Sequence, residues 1–221
     1  MKRLLSILSI ILFSVSSYAQ STKAGNVIIG LSASKDSYFT TIFQQASTFS
    51  FPLNVEVMLP GNFSAGVIGR PIIINNVSNS YLSSNNSAKK NDNSGYLLFG
   101  LGSASYYAYN ENRLLWKITA EAGYGKMGKI KYEEDIRSEI KATGMMYRLS
   151  SSLRYHLGNE YNDIYPTFFE LGIGTSRITM NIHESTLSGA ALPVNHSSWN
   201  ALKFNTLDIA LTFGFRIGKT K

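Results

Sequence analysis

The sequence predicts an all-β chain: an eight-stranded antiparallel up-and-down transmembrane β-barrel, preceded by a cleaved signal peptide. Three observations predict it. Bulky apolar residues alternate with small or polar ones over many segments, most cleanly in LDIALTFGFRI at 207–217. The connections between these segments are alternately long and short. Only 16% of the residues are charged, although the chain holds 13 Tyr and 12 Phe; soluble domains carry about a quarter.

The first element is MKRLLSILSIILFSVSSYAQ. Lys2 and Arg3 precede an apolar run from Leu4 to Val15, and Ser17-Tyr18-Ala19 supplies the small residues that suit cleavage after Ala19. The run falls short of the roughly 20 residues that a spanning helix needs. Residues 1–19 are therefore expected to be removed, leaving 20–221 as one barrel domain. The absence of cysteine excludes a disulfide scaffold, thiolate metal sites and a cysteine nucleophile. The formal charge is +7, with Lys2 and Arg3 belonging to the leader. No basic cluster is interleaved with aromatics, so no nucleic-acid partner is expected. A mild positive excess suits anionic lipid head groups.

Eight segments read as strands. The first, near 25–34, places Val27, Ile29, Leu31 and Ala33 on one face. The second, 48–59, sets Phe49, Phe51, Leu53, Val55, Val57 and Leu59 against Ser50, Asn54, Glu56 and Met58. Pro60-Gly61-Asn62 is a tight turn. The third, 63–74, is the least regular, because PIII at its end breaks the alternation. In the fourth, 95–109, Leu97, Phe99, Leu101, Tyr107 and Tyr109 oppose Gly100, Gly102 and Ala104. The fifth, 113–126, sets Trp116, Ile118, Ala120, Ala122 and Tyr124 against Lys117, Thr119, Glu121, Gly123 and Gly125. The sixth, 142–157, opposes Tyr147, Leu149, Leu153 and Tyr155 to Arg148, Ser150, Ser152, Arg154 and His156. The seventh, 164–180, sets Tyr165, Phe169, Leu171 and Ile173 against Glu170, Gly172 and Gly174. The eighth is the opening stretch, extended to 204–218.

Long connections are expected at 35–47, 75–94, 127–141 and 181–203, with short turns between. Outer-membrane barrels alternate in this way, long loops outside and short turns in the periplasm. A soluble barrel with the apolar face inside would need long solubilising side chains on its other face. That face instead carries Gly30, Gly172, Ala210, Thr212 and Gly214, which suit the narrow interior of an eight-stranded barrel. The apolar face is therefore expected to meet lipid, on the fourth strand as on the others.

The inward face then carries Glu56, Glu121, Glu170 and Asp208 with Lys117, Arg148, Arg154 and Arg216. Charges in so narrow a space must be paired or wet, so a lumen salt-bridge network is expected. Strand direction sorts the aromatics. Trp116 and Tyr165 begin upward strands, and Tyr107, Tyr109, Tyr155 and Phe215 end downward ones. Together they form a predicted periplasmic girdle. Phe49, Tyr124 and Tyr147 fall near the other rim.

With FGLGSAS at 99–105, FELGIGTS at 169–176 and LTFGFRIG at 211–218, the chain resembles the small outer-membrane β-barrel family. The likeness is to the OmpA transmembrane domain and OmpX-like proteins, in their Bacteroidota-type versions, and covers the mature chain. It implies an outer-membrane location, lipid and lipopolysaccharide contacts, insertion by the outer-membrane assembly machinery, and roles from structural anchoring to adhesion. Many such barrels end on an aromatic residue, whereas this chain continues past Phe215 to RIGKTK.

Some barrels of this architecture modify lipid A. The histidines here are His156, His183 and His196, and His183-Glu184-Ser185 and His196-Ser197-Ser198 fall in the expected loop 181–203. A loop does not fix the geometry that a nucleophile and base require. The expected function is therefore non-enzymatic, structural or adhesive through the long extracellular loops, with a narrow transport pore as the alternative and a lipid A-modifying enzyme as the next. No cofactor, metal or catalytic residue is assigned. Leu192, Val194 and Trp199 are the candidate loop-binding residues for an extracellular ligand.

Overall fold

A computed structural model describes residues 24–39, 47–75, 94–111, 113–128, 138–157, 167–187, 190–191 and 201–218. Eight antiparallel strands close on themselves. They are β1 (Val27–Phe39), β2 (Ser47–Ser50 with Leu53–Leu59), β3 (Phe63–Asn75), β4 (Ser94–Glu111), β5 (Leu114–Met127), β6 (Ser138–Leu157), β7 (Thr167–Leu187) and β8 (Ala201–Ile217). Each pairs with its neighbours in sequence, and β1 pairs with β8 from Val27↔Ile217 to Phe39↔Asn205. That last ladder removes the two free edges an open sheet would leave. A two-residue piece, Ala190–Ala191, pairs back onto β7.

Several strands outrun the sequence expectation. β1 reaches Phe39, β6 begins at Ser138 and β7 continues to Leu187. The connections at one end are correspondingly shorter than expected, at 40–46, 76–93, 128–137 and 188–200, and remain longer than most of those at the opposite end. We call these the long-connection and short-connection ends. β2 is interrupted at Phe51-Pro52, because proline has no N–H for the ladder. The carbonyl of Pro52 still accepts from Ser32 N at 2.8 Å. The β2–β3 turn places Gly61 at φ 76° and Asn62 at φ 65°, values that glycine and asparagine tolerate best.

The apolar residues face outward. Leu211, Phe213 and Trp116 are 56%, 48% and 44% exposed, while Gly214, next to Phe213, is buried. On β3 the alternation persists through the PIII stretch. Pro71 and Ile73 point out and Ile72 and Ile74 point in, where the interior at that level is apolar.

β4 reverses the expectation. Leu97, Phe99, Leu101 and Tyr107 are buried in the lumen, and Gly100, Gly102 and Ala104 lie on the outer face. The reason is cross-strand fit. Phe99 pairs with Gly125 and Leu101 with Gly123, so the space a β5 side chain would fill is given to β4. A Cβ on Gly125 would stand 2.4 Å from the Phe99 ring.

Candidate functional site: the filled lumen

The barrel interior is filled in layers. At the long-connection end twelve buried residues form one apolar cluster, among them Ile72, Leu97, Phe99, Met146, Ile178 and Met180. At the other end Ile28, Met58, Tyr107, Leu115 and Phe168 form a second. Ionised side chains are held between them.

The charges fall into two groups. In the first, the wholly buried Arg154 reaches two carboxylates, Nε to Glu170 Oε2 at 2.7 Å and Nη2 to Glu56 Oε2 at 3.4 Å. Lys117 Nζ bridges the same two, at 3.2 Å from Glu170 and 3.6 Å from Glu56. The Tyr107 hydroxyl donates to Glu56 Oε1 and accepts from Arg154 Nη1, each at 3.2 Å. The Arg154 guanidinium lies 4.0 Å from the centroid of Phe168. Two cations thus balance two anions, and neighbouring hydroxyls and the ring meet much of the remaining bonding capacity.

In the second group Arg148 grips Asp208 with both arms of its fork, Nε to Oδ2 at 2.9 Å and Nη2 to Oδ1 at 2.6 Å. Its Nη1 also bonds Glu121 Oε1, whose Oε2 lies 3.5 Å from Arg70 Nη2. Gly174 makes room for this, since a Cβ there would meet Arg148 Nη2 at 2.5 Å. Asp36 is buried in the same layer of the lumen and accepts from Ser34. A cavity of about 50 Å³ bordered by Asn54, Glu56, Arg70 and Lys117 lies among the charged side chains. It is polar and roomy enough for water.

Seven of the residues assigned to the lumen from sequence, Glu56, Lys117, Glu121, Arg148, Arg154, Glu170 and Asp208, sit in these two groups. Arg216 is half-buried opposite Ile28, near the short-connection end and away from the Arg148 group. Sequence reasoning missed Arg70, Asp36 and the hydroxyl of Tyr107. Arg70 follows Ser64, Gly66 and Ile68 in strict alternation, and Asp36 follows Ser32 and Ser34, so extending each period by one step would have found both.

On the outer face Trp116, Tyr155 and Phe215 are exposed near the short-connection end. Trp116 Nε1 donates to Ser151 Oγ at 2.8 Å. Tyr107 does not belong to the expected girdle: it is buried in the lumen on the same inward phase of β4 as Leu97, Phe99 and Leu101, just before a bulge between Tyr107 and Tyr109 shifts the register. Past the bulge Tyr109 pairs with Trp116, its side chain lying outside the described residues. Tyr165 and the loop candidates Leu192, Val194 and Trp199 also lie outside the described residues, as does His196. His183 is not in a loop. It stands on β7, exposed, with Nε2 hydrogen-bonded to Thr143 Oγ1.

The solved structures provide a comparison for this geometry. The outer membrane protein OprG from Pseudomonas aeruginosa superposes with a TM-score of 0.53 at 14% identity, over 91% of this chain and 100% of that one. Neisserial surface protein A gives 0.50 at 11% identity, over 85% of this chain and 97% of that one. The chain has the fold of the small outer-membrane β-barrels. No protein-family model and no curated protein matches it. The fold accounts for the side-chain distribution found here, with mostly hydrocarbon-compatible residues outside and the buried ion pairs within a closed wall.

Proposed function

We propose that the chain is an integral outer-membrane barrel with a sealed lumen, acting as a non-enzymatic structural or adhesive element through its long connections. The observation that carries this reading is the filled interior. Apolar clusters occupy both ends and paired charges occupy the middle, so an ion crossing the barrel would have to displace packed side chains or break buried pairs. This disfavours the narrow pore. Within the fold, the motifs at 99–105, 169–176 and 211–218 support a place beside the OmpA transmembrane domain and OmpX-like barrels.

The apolar outer wall and the predicted leader 1–19 support an outer-membrane location. The assembly machinery and the lipopolysaccharide-bearing leaflet are the partners this reading implies. Heat-modifiable gel migration of the outer-membrane fraction tests fold and compartment together. Planar-bilayer recording tests the seal: no steady current is expected, and a stable open level in the nanosiemens range would refute it. An unchanged lipid A mass profile on expression is expected of a barrel without enzymatic activity.

A further inference from the structure

The charges on the barrel wall are segregated. Among the described side chains all five strand carboxylates, Asp36, Glu56, Glu121, Glu170 and Asp208, are buried inside. Among the same described side chains the exposed strand charges are cations: Lys35, Lys126, Lys141, Arg177 and Lys203. Four of these lie toward the long-connection end of their strands, and Arg177 sits at the middle of β7. A cation on the lipid face is costly at the bilayer midplane and nearly free at the head-group level.

One pair of these cations adjoins a groove. The register aligns Gly102, Ala122, Tyr147, Arg177 and Asn205 in one row across β4 to β8. The adjacent row holds Ala104, Ala120, Leu149 and Thr175. Together they border an open outward depression of about 880 Å³. Its floor is shallow because the small residues of β4 face outward, and Tyr147 and Leu149 stand above it as walls. Because the strands are tilted, the row climbs from the middle of β4 toward the long-connection end of β8, finishing at Arg177 and Asn205. Lys203 is the diagonal neighbour of Arg177, about 7 Å away by strand geometry. Thr179, paired with Lys203, and Asn181 continue the polar surface above.

We propose that this surface binds a phosphorylated, multiply acylated lipid of the outer leaflet, the lipid A portion of lipopolysaccharide. One acyl chain lies in the groove and a phosphate lies between Arg177 and Lys203. A planar guanidinium beside an ammonium is a strong phosphate receptor, and the groove is within the size range of small-molecule sites. The inference rests on the outer-membrane reading given above.

The test uses the folded full chain in detergent, titrated with bisphosphorylated lipid A, its dephosphorylated form and phosphatidylglycerol. Saturable binding of the bisphosphorylated form is expected, at least tenfold tighter than the other two. Each cation removed should weaken it roughly fivefold, so Arg177→Ala with Lys203→Ala gives about 25-fold and Lys203→Ala alone about fivefold. Arg177→Lys should retain most of the affinity. Gly102→Leu, which fills the groove from outside, should also weaken binding. Equal affinity in the double variant, with native heat-modifiable migration, overturns the site while leaving the barrel reading intact. Equal binding of phosphatidylglycerol, or a stable dimer that lipid A does not dissociate, overturns the assigned occupant. A wild-type chain without heat-modifiable migration removes the barrel reading itself, and the proposal with it.

Discussion

Replacing Arg154 by methionine leaves the carboxylates of Glu56 and Glu170 facing Lys117 alone, in a layer bounded by Tyr107 and Phe168. The volume is nearly kept, so the loss is electrostatic. One buried negative charge goes uncompensated, the Tyr107 hydroxyl loses its donor, and Glu170 loses its 2.7 Å bond. Breaking one partner out of a buried pair costs about 3–5 kcal/mol, and the upper part of that range applies because Arg154 serves two carboxylates. The structure also says how to reverse it. Arg154→Met combined with Glu170→Gln restores charge balance around Lys117 and Glu56, so the double variant should recover at least half of the loss. The assay is urea unfolding in lipid vesicles, followed by the gel shift between folded and unfolded barrel. The reasoning fails if Arg154→Met unfolds within 1 kcal/mol of wild type, or if the double variant is no more stable than the single one.

Three further outcomes follow from the same geometry. Gly125→Val should destabilise by about 1–3 kcal/mol through overpacking against Phe99, whereas Gly100→Ala, whose new methyl meets nothing within 4 Å, should change stability little in the same unfolding assay. Tyr107→Phe removes a hydroxyl bonded to a carboxylate and a guanidinium, and should cost about 1.5–3 kcal/mol by urea unfolding. Leu211→Arg, on the lipid face midway along β8, should cost about 2–4 kcal/mol in vesicles, whereas Lys203→Arg near the long-connection end should be neutral.

The sequence was legible where one face of a strand was plainly small or polar. In β8, Asp208, Ala210, Thr212 and Gly214 leave no doubt about direction, and Leu207, Ile209, Leu211, Phe213, Phe215 and Ile217 face outward as read. β4 was not legible in this way. GYLLFGLGSAS is apolar or small on both faces, so period alone does not choose between them. The assumption that bulky groups must point outward gave the wrong answer, because it treated the lumen as uniformly crowded. Room inside comes from glycines on the neighbouring strands, Gly123 and Gly125 opposite β4 and Gly144 on β6 opposite Met180. A pairwise reading of registers would have found that complementarity; single-strand periodicity does not contain it.

The ion network shows the same division. Glu121, Arg148 and Asp208 were assigned inward because their strands alternate cleanly, and they meet in the structure. Arg70 was hidden by the PIII that follows it, since inward isoleucines were not expected. Asp36 was hidden by ending β1 too soon. That one end of the lumen is an apolar core, with Ile72, Phe99 and Ile178 packed inside, follows from three-dimensional convergence of strands far apart in the chain.

The orientation of the strands is tested most directly by tryptophan scanning on β8 in vesicles of lipids brominated in their acyl chains. In a Trp116→Phe, Trp199→Phe background, Leu211→Trp and Thr212→Trp place the same fluorophore one residue apart on opposite faces. Strong quenching by the brominated chains is expected at 211 and little at 212. The reverse pattern would contradict the account.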